Sequence, residues 1–427
     1  MKKLTTALLM GITLSVFANG LSLNSIGTKA FGMGGAFVAL ADDPSAIHWN
    51  PAGMAGQKNA VMLFMTDVIP MPVYKLDDYG IDAEGVSNHY ISPNIMAVYN
   101  YDKFAFGLGA YVPAGLGSEW DGADLTAFGG PAYFDPGHTM ANPYAGKEFD
   151  WMSKIAVFNI APAVAYNFND TFKLGATLNI FYGMFEMKRG EDMIDLFPTI
   201  PGPDQMLDTQ TYMDISGLGI GATLGFMVDY GWYNFGVTYK TPVTVDMEGT
   251  MDIENMDEYD MELEVTWPAW GGLGLAFRPF NGKMVITSDM QITNWKELET
   301  LYAKILDMQI APGVFIDKEN EMHLTWEDAV QFRFGLQFDI NDQLTARTGY
   351  YYDPAPAPDK TLNILFPSST NHAYTFGGSY KINNFNVDLG MEYLFGNDRN
   401  VTQTEENMPG FHQMDVFAYS LALKYDF

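Results

Sequence analysis

From about residue 60 to the C-terminus, apolar and polar residues alternate with period two, and this one pattern restricts the fold more than any other feature. Phe332, Phe334, Leu336, Phe338 and Ile340 alternate with Gln331, Arg333, Gly335, Gln337 and Asp339. Val387, Leu389, Met391, Tyr393 and Phe395 alternate with Asn386, Asp388, Gly390 and Glu392. The chain closes with Phe417, Tyr419, Leu421, Leu423, Tyr425 and Phe427 set against Ala418, Ser420, Ala422, Lys424 and Asp426. Leu174 to Tyr182, Leu218 to Tyr230 and Tyr233 to Tyr239 follow the same rule. Successive side chains of a strand point to opposite faces, so each stretch reads as a strand with one apolar and one polar face.

A soluble sandwich also alternates, and turn spacing decides between the two. Tight turns fall at Asp102-Lys103, Asn169-Asp170, Gly231-Trp232, Asn281-Gly282, Asn341-Asp342 and Asn383-Asn384. Between them lie long connections around residues 73–87, 118–152, 188–211, 247–261, 297–325, 354–371 and 397–413. Short turns at one end and long loops at the other are the mark of an outer-membrane barrel, here of about 14 antiparallel strands. Lipid cannot satisfy backbone polar groups, and a closed barrel pairs them without helices. Tyr99, Tyr101, Phe104, Phe106, Tyr230, Tyr233, Phe280, Tyr380 and Phe385, near strand ends, are expected to form an interfacial girdle. The fold class is therefore an all-β membrane protein, a 14-stranded antiparallel transmembrane β-barrel, with residues 57–427 as one domain and no linker.

Residues 1–20 read as a secretory signal, with Lys2 and Lys3 as the basic region and Ala7 to Phe17 as the apolar one. Cleavage fits after Ala18 or after Gly20. Losing the two lysines makes the formal charge more negative than −29, which argues against a nucleic-acid partner. The absence of Cys removes disulfide and zinc–thiolate chemistry.

Residues 21–56 lack the strand pattern. The stretch Gly27 to Gly53 is rich in small residues and carries one helix signal. Asp42 or Asp43 can cap it with Pro44 at the first helical position, and Pro51 forces a stop at Asn50. So small a piece buries no core alone and needs a container.

Ala30-Phe31-Gly32-Met33-Gly34-Gly35-Ala36, then Ala41-Asp42-Asp43-Pro44-Ser45-Ala46, then Asn50-Pro51-Ala52-Gly53, resemble the FadL/TodX family of outer-membrane transporters. Phe106 to Leu116, leading to Glu119-Trp120, is similar to that family's third strand. The resemblance implies a barrel plugged by a partly helical N-terminal hatch at 21–56. It also implies an inward kink in the third strand through which a hydrophobic ligand leaves sideways. On that resemblance Asn50, Pro51, Ala52 and Gly53 form the hatch motif, with Asn50 reaching the kink, and Pro113, Gly115 and Gly117 form the kink. The residues alone allow two readings of each. Pro113 either breaks pairing within the third strand, since proline is confined to edges and bulges, or marks the strand's end at Val112. Asn50 either gates or caps a helix.

An apolar ligand needs an apolar path with few polar groups to orient it. Met193, Phe197 and Met206 in one long connection, and Met251, Met256 and Tyr259 in another, offer flexible greasy surface, either as a collecting groove or as packing between loops. Residues 295–306 show helical spacing. In the lumen phase Arg333 and Arg347, then Arg278, Lys173 and Lys240, are the cations able to meet a carboxylate, with Asp229, Asp289, Asp339 and Glu392 as competing partners.

The expected function is passive uptake of long-chain fatty acids or aromatic hydrocarbons across the outer membrane by a monomer, the monomer being implied by the resemblance. The partners are the hydrophobic ligand and membrane lipid. A plugged channel for polar solutes is the alternative, and a hydrolase a more remote one. The sequence holds no Gly-x-Ser-x-Gly or His-Glu-x-x-His motif, and its six histidines lack metal-ligand spacing, so no enzyme activity, metal or cofactor is expected.

Overall fold

The computed structural model describes residues 20–129, 147–191, 209–404 and 407–427. Its strands in chain order are β1 (Ala60–Leu76), β2 (Ile81–Glu84), β3 (Tyr90–Tyr101), β4 (Phe104–Trp120), β5 (Trp151–Asn167), β6 (Phe172–Glu191) and β7 (Thr209–Asp229). There follow β8 (Tyr233–Lys240), β9 (Val243–Ile253), β10 (Glu258–Trp267), β11 (Trp270–Phe277), β12 (Met284–Thr293), β13 (Thr300–Ala311) and β14 (Val314–His323). The last are β15 (Ala329–Asp339), β16 (Leu344–Asp353), β17 (Asn371–Ile382), β18 (Phe385–Gly396), β19 (Arg399–Val401) and β20 (Gly410–Asp426).

The wall runs β1-β3-β4-β5-β6-β7-β8-β11-β12-β15-β16-β17-β18-β20, antiparallel throughout. It closes where β1 meets β20, from Ala60↔Asp426 to Lys75↔Phe411. This is a closed 14-strand barrel, and β4 is its third spanning strand. Alternation resolves as the pattern requires: Phe334 is 50% exposed on the outside and its neighbour Arg333 is 1% exposed in the lumen. Asp102, Asn281 and Asn383 take left-handed φ near 54° in the tight turns, a conformation Asn and Asp tolerate.

Three of the expected long connections are largely strand rather than loop: 73–87, where β1 folds back on β2, and 247–261 and 297–325. β7 pairs with β9 through Thr211–Leu218 and with β8 through Thr223–Asp229, so β8 and β9 are one strand bent at Thr241-Pro242. β10 and β11 bend likewise at Pro268-Ala269, and β13 and β14 carry the sheet further outward. The helical spacing at 295–306 yields only a 3-10 turn, Trp295–Leu298, before β13 begins. Leu301 and Ile305 lie four apart, which places them on one face of a strand as well as of a helix, and both are buried as strand residues.

The N-terminal segment is buried inside the wall. It holds α1 (Thr28–Phe31), α2 (Ala46–Trp49) and a 3-10 turn at Pro51–Met54. The Asp43 carboxylate accepts the Ser45 backbone N–H and hydroxyl at 2.8 and 2.6 Å, fixing the entry to α2. The helix stops at Asn50, which is extended (φ −161°, ψ 98°) as Pro51 demands, and whose side chain accepts the Ala52 N–H.

Glycines paired across adjacent strands let this segment lie against the wall: Gly175↔Gly225, Gly236↔Gly274, Gly335↔Gly349 and Gly377↔Gly390. A methyl group on Gly225 would fall 2.1 Å from Asn50 Oδ1, and one on Gly349 would fall 2.2 Å from the Gly34 nitrogen. These seats lie on eight strands, β6, β7, β8, β11 and β15 to β18, so the segment sits inside the barrel.

Candidate functional site

The wall is interrupted at β4. Between Tyr111↔Asn159 and Ala114↔Val157, two residues, Val112 and Pro113, face only Phe158 of β5. This is a β-bulge, placed at the residue that has no N–H to give a ladder. On the other side, pairing of β4 with β3 stops at Ile95↔Ala110. Beyond it, Tyr90–Asn94 of β3 pair with β1 alone, and Pro93 there lacks a donor of its own. The gap is closed below by Val112 N–H donating to Asn94 Oδ1 at 2.8 Å. It is closed above by Val86 N–H donating to the Glu119 carbonyl at 2.8 Å and by Asn88 Nδ2 donating to Glu119 Oε2 at 2.6 Å. Five unpaired strand residues span about 17 Å.

The freed edge of β4 is satisfied from inside the barrel. Leu23 N–H donates to the Pro113 carbonyl at 3.1 Å, and Gly115 N–H donates to the Leu21 carbonyl at 2.9 Å. The first described residues thus form a short strap paired with the bulged strand where β3 is missing. A cavity of about 390 Å³ fills the gap, with Ile91, Val112, Leu116, Ile155, Phe158 and Val416 on its walls.

Inside the strap lies a cavity of about 80 Å³ that includes His48, Trp49, Tyr111, Lys240, Trp270 and Arg333 in its lining. A third, of about 120 Å³, is bordered by Ser25, Asp353, Asn371 and Glu392. Leu23 borders all three cavities. The strap is therefore the partition between lumen and gap.

Lys240 and Arg333 are the cations bordering the inner cavity. The Lys240 Nζ stands 3.1 Å from His48 Nε2 and 4.7 Å from the Trp270 ring centroid, and among the described residues no carboxylate lies within 4 Å of it. His48 is packed between Trp49 and Tyr111, with ring centroids 5.1 and 5.5 Å away. Burial first, then the Lys240 and Arg333 charges, hold its imidazole well below the usual histidine range. Its imidazole is therefore neutral.

A family model described as outer membrane protein transport protein (OMPP1/FadL/TodX) matches residues 9–427. The chain belongs to this FadL/TodX family. It is an outer-membrane transporter and not an enzyme. Outer membrane protein P1 of Haemophilus influenzae is 24% identical over 89% of this chain and 87% of its own length. The long-chain fatty acid transport protein of Salmonella typhi is 20% identical over 90% of this chain and 89% of its own. The crystal structure of the toluene transporter TodX of Pseudomonas putida superposes with a TM-score of 0.72 at 18% identity, covering 95% of this chain and 99% of that one, a likeness of fold.

Within this FadL/TodX barrel the expected residues separate into groups. Pro113 lies in the bulge, Gly115 bonds the strap and Gly117 lies further along β4, which continues to Trp120 rather than ending at Val112. Asn50 does not reach the kink: its Nδ2 donates to the Val38 carbonyl at 2.9 Å and to the Phe226 carbonyl of β7 at 3.1 Å. Its extended conformation before Pro51 directs it to the Gly175–Gly225 seat, where the Pro51 backbone also rests.

The cations also divide. Arg333 donates to the carbonyls of Asn24 and Gly34 at 2.8 and 3.0 Å, so it holds the hatch. Arg347 pairs with Asp388 at 3.0 Å and Lys173 with Asp229 at 3.2 Å, while Arg278 donates to Asn234 Oδ1. Met251 borders an outer cavity of about 110 Å³ with Met187, Met213 and Met261; Tyr259 is buried beside it in the outer cluster and Met256 packs at its edge. Met193, Phe197 and Met206, like leader residues 1–19, lie outside the described residues. The sequence reading passed over Leu21–Leu23, which had no pattern to mark them, and the paired glycines, whose repeated place in the lumen phase was a usable signal.

Proposed function

We propose that this chain carries long-chain fatty acids from the cell surface into the outer membrane without an energy source, and that ligand leaves sideways between β3 and β4. The unpaired stretch of wall filled by an apolar cavity carries this reading. An alkyl chain passing from the apolar gap directly into lipid avoids re-exposure to water, which would cost about 0.8 kcal/mol per methylene. Partition of the ligand from water at the cell surface into lipid supplies the driving force. The methionine-lined outer cavity is the collecting surface, suited to ligands of varied shape. Displacement of the Leu21–Leu23 strap joins the Lys240 cavity to the gap, with Asn50, Pro51 and Ala52 holding the rest of the hatch on its glycine seat.

Lys240 favours a carboxylate over a neutral hydrocarbon. A charge-assisted hydrogen bond to it is worth about 1.5–3 kcal/mol, or roughly ten- to a hundredfold in affinity.

The test is uptake of labelled long-chain fatty acid and of toluene by cells carrying wild type, a deletion of Pro113, or Lys240→Met, at equal barrel abundance. Removing Pro113 leaves Val112 opposite Phe158 and restores a continuous ladder. It should stop uptake of both ligands, and Lys240→Met should slow the fatty acid alone. Undiminished uptake without Pro113 rules out the sideways exit. Equal slowing of toluene in Lys240→Met rules out the carboxylate anchor. Entry of small sugars alone would favour the polar-solute channel.

A further inference from the structure

We infer that Tyr90 is the door of the gap and sets the width of ligand that passes, an inference that rests on the sideways exit proposed above. Tyr90 is the first residue of β3 and the first of the unpaired stretch. Its ring reaches across the gap onto Gly117 of β4. A methyl group built on Gly117 would fall 2.0 Å from Tyr90 Cζ and 2.3 Å from its hydroxyl oxygen.

Nothing else about position 117 calls for glycine. Gly117 pairs with Lys154 in an ordinary antiparallel register, and its backbone is not left-handed. The Tyr90 ring occupies the space that a side chain there would take. The half-buried ring sits beside Asn88, whose amide is held by Glu119. It is thus parked against the upper rim, with the apolar cavity below it.

The gap has fixed rims. Spreading its strands would break the Val112–Asn94 and Val86–Glu119 hydrogen bonds, whereas turning one tyrosine about its side-chain torsions breaks no backbone bond. The cheapest way to widen the exit is therefore to move Tyr90. With the ring in place, the cavity admits an unbranched alkyl chain and retards a fused-ring group.

Palmitate and a hexadecanoate carrying a terminal pyrenyl group share a head and a chain and differ in width, so the ratio of their initial uptake rates reports the door. Tyr90→Ala should raise the pyrenyl-to-plain ratio by about fivefold or more, because it lowers the barrier to the wider ligand alone. Tyr90→Val should act likewise, and Tyr90→Phe should leave the ratio unchanged because the ring remains. A ratio unmoved in both Tyr90→Ala and Tyr90→Val, while deletion of Pro113 still blocks both ligands, overturns the door and leaves the exit standing. Uptake that survives deletion of Pro113 overturns the exit and the door with it.

Discussion

Lys240 and Arg333 border one cavity and serve different ends, because one has spare hydrogen-bonding capacity and the other does not. The Arg333 guanidinium also stacks 4.5 Å from the Tyr351 ring centroid and takes Gln331 as a further partner, so its donors are committed to protein. Arg333→Met should free the Asn24 and Gly34 carbonyls, at about 1.5–3 kcal/mol per lost charged hydrogen bond. The expected result is faster passage of small sugars in liposome swelling with the barrel intact; swelling at the wild-type rate would show that the hatch does not depend on this residue. Gly225→Ala presses a methyl group onto Asn50 and should cost about 1–3 kcal/mol by overpacking, seen as a lower melting temperature. At this scale the sequence was legible only to the level of phase. It placed Arg347 in the lumen but named Asp229, Asp289, Asp339 and Glu392 as its competing partners; the partner is Asp388, with Ser379 of β17 bonded to both, and that is a matter of register across three strands.

Among the elements, membrane-facing strands were readable because one face is lipid and must be apolar, while the outer strands escaped notice. β9 and β10 alternate as strictly as any, Met247, Met251 and Met261 against Glu248, Asp252 and Glu262, yet their outer face meets water and its acids read as loop. The register places Glu248 opposite Glu262 and Asp246 opposite Glu264, and like charges so placed repel. Lys304 of β13, opposite Glu262 and paired with Asp317 at 2.8 Å, offsets part of this. Raising salt from about 0.05 to 0.5 M shortens the screening length from over 10 Å to under 5 Å. Amide exchange at Met247–Leu263 should therefore slow with added salt while exchange in β16 and β17 stays constant; faster exchange would contradict the repulsion. The bulge was half legible. Pro113 announced broken pairing, but the strap that repairs it comes from nearly a hundred residues earlier, and no local rule connects the two.

The whole molecule is a wall and its contents, and both were announced by the chain: the wall by alternation and turn spacing, the contents by a short small-residue segment unable to stand alone. How the two fit could not be read, because each contact joins the first few dozen residues to strands scattered through the next four hundred. One feature of that wall governs how the molecule can come into being. The strand that follows the hatch pairs with the last strand of the chain, so the ring is sealed only when translation and export have delivered the C-terminus. The Phe427 N–H then bonds the Asn59 carbonyl, just short of β1. A chain arrested before β20 would therefore keep an open seam along β1, beside the segment that the closed wall surrounds.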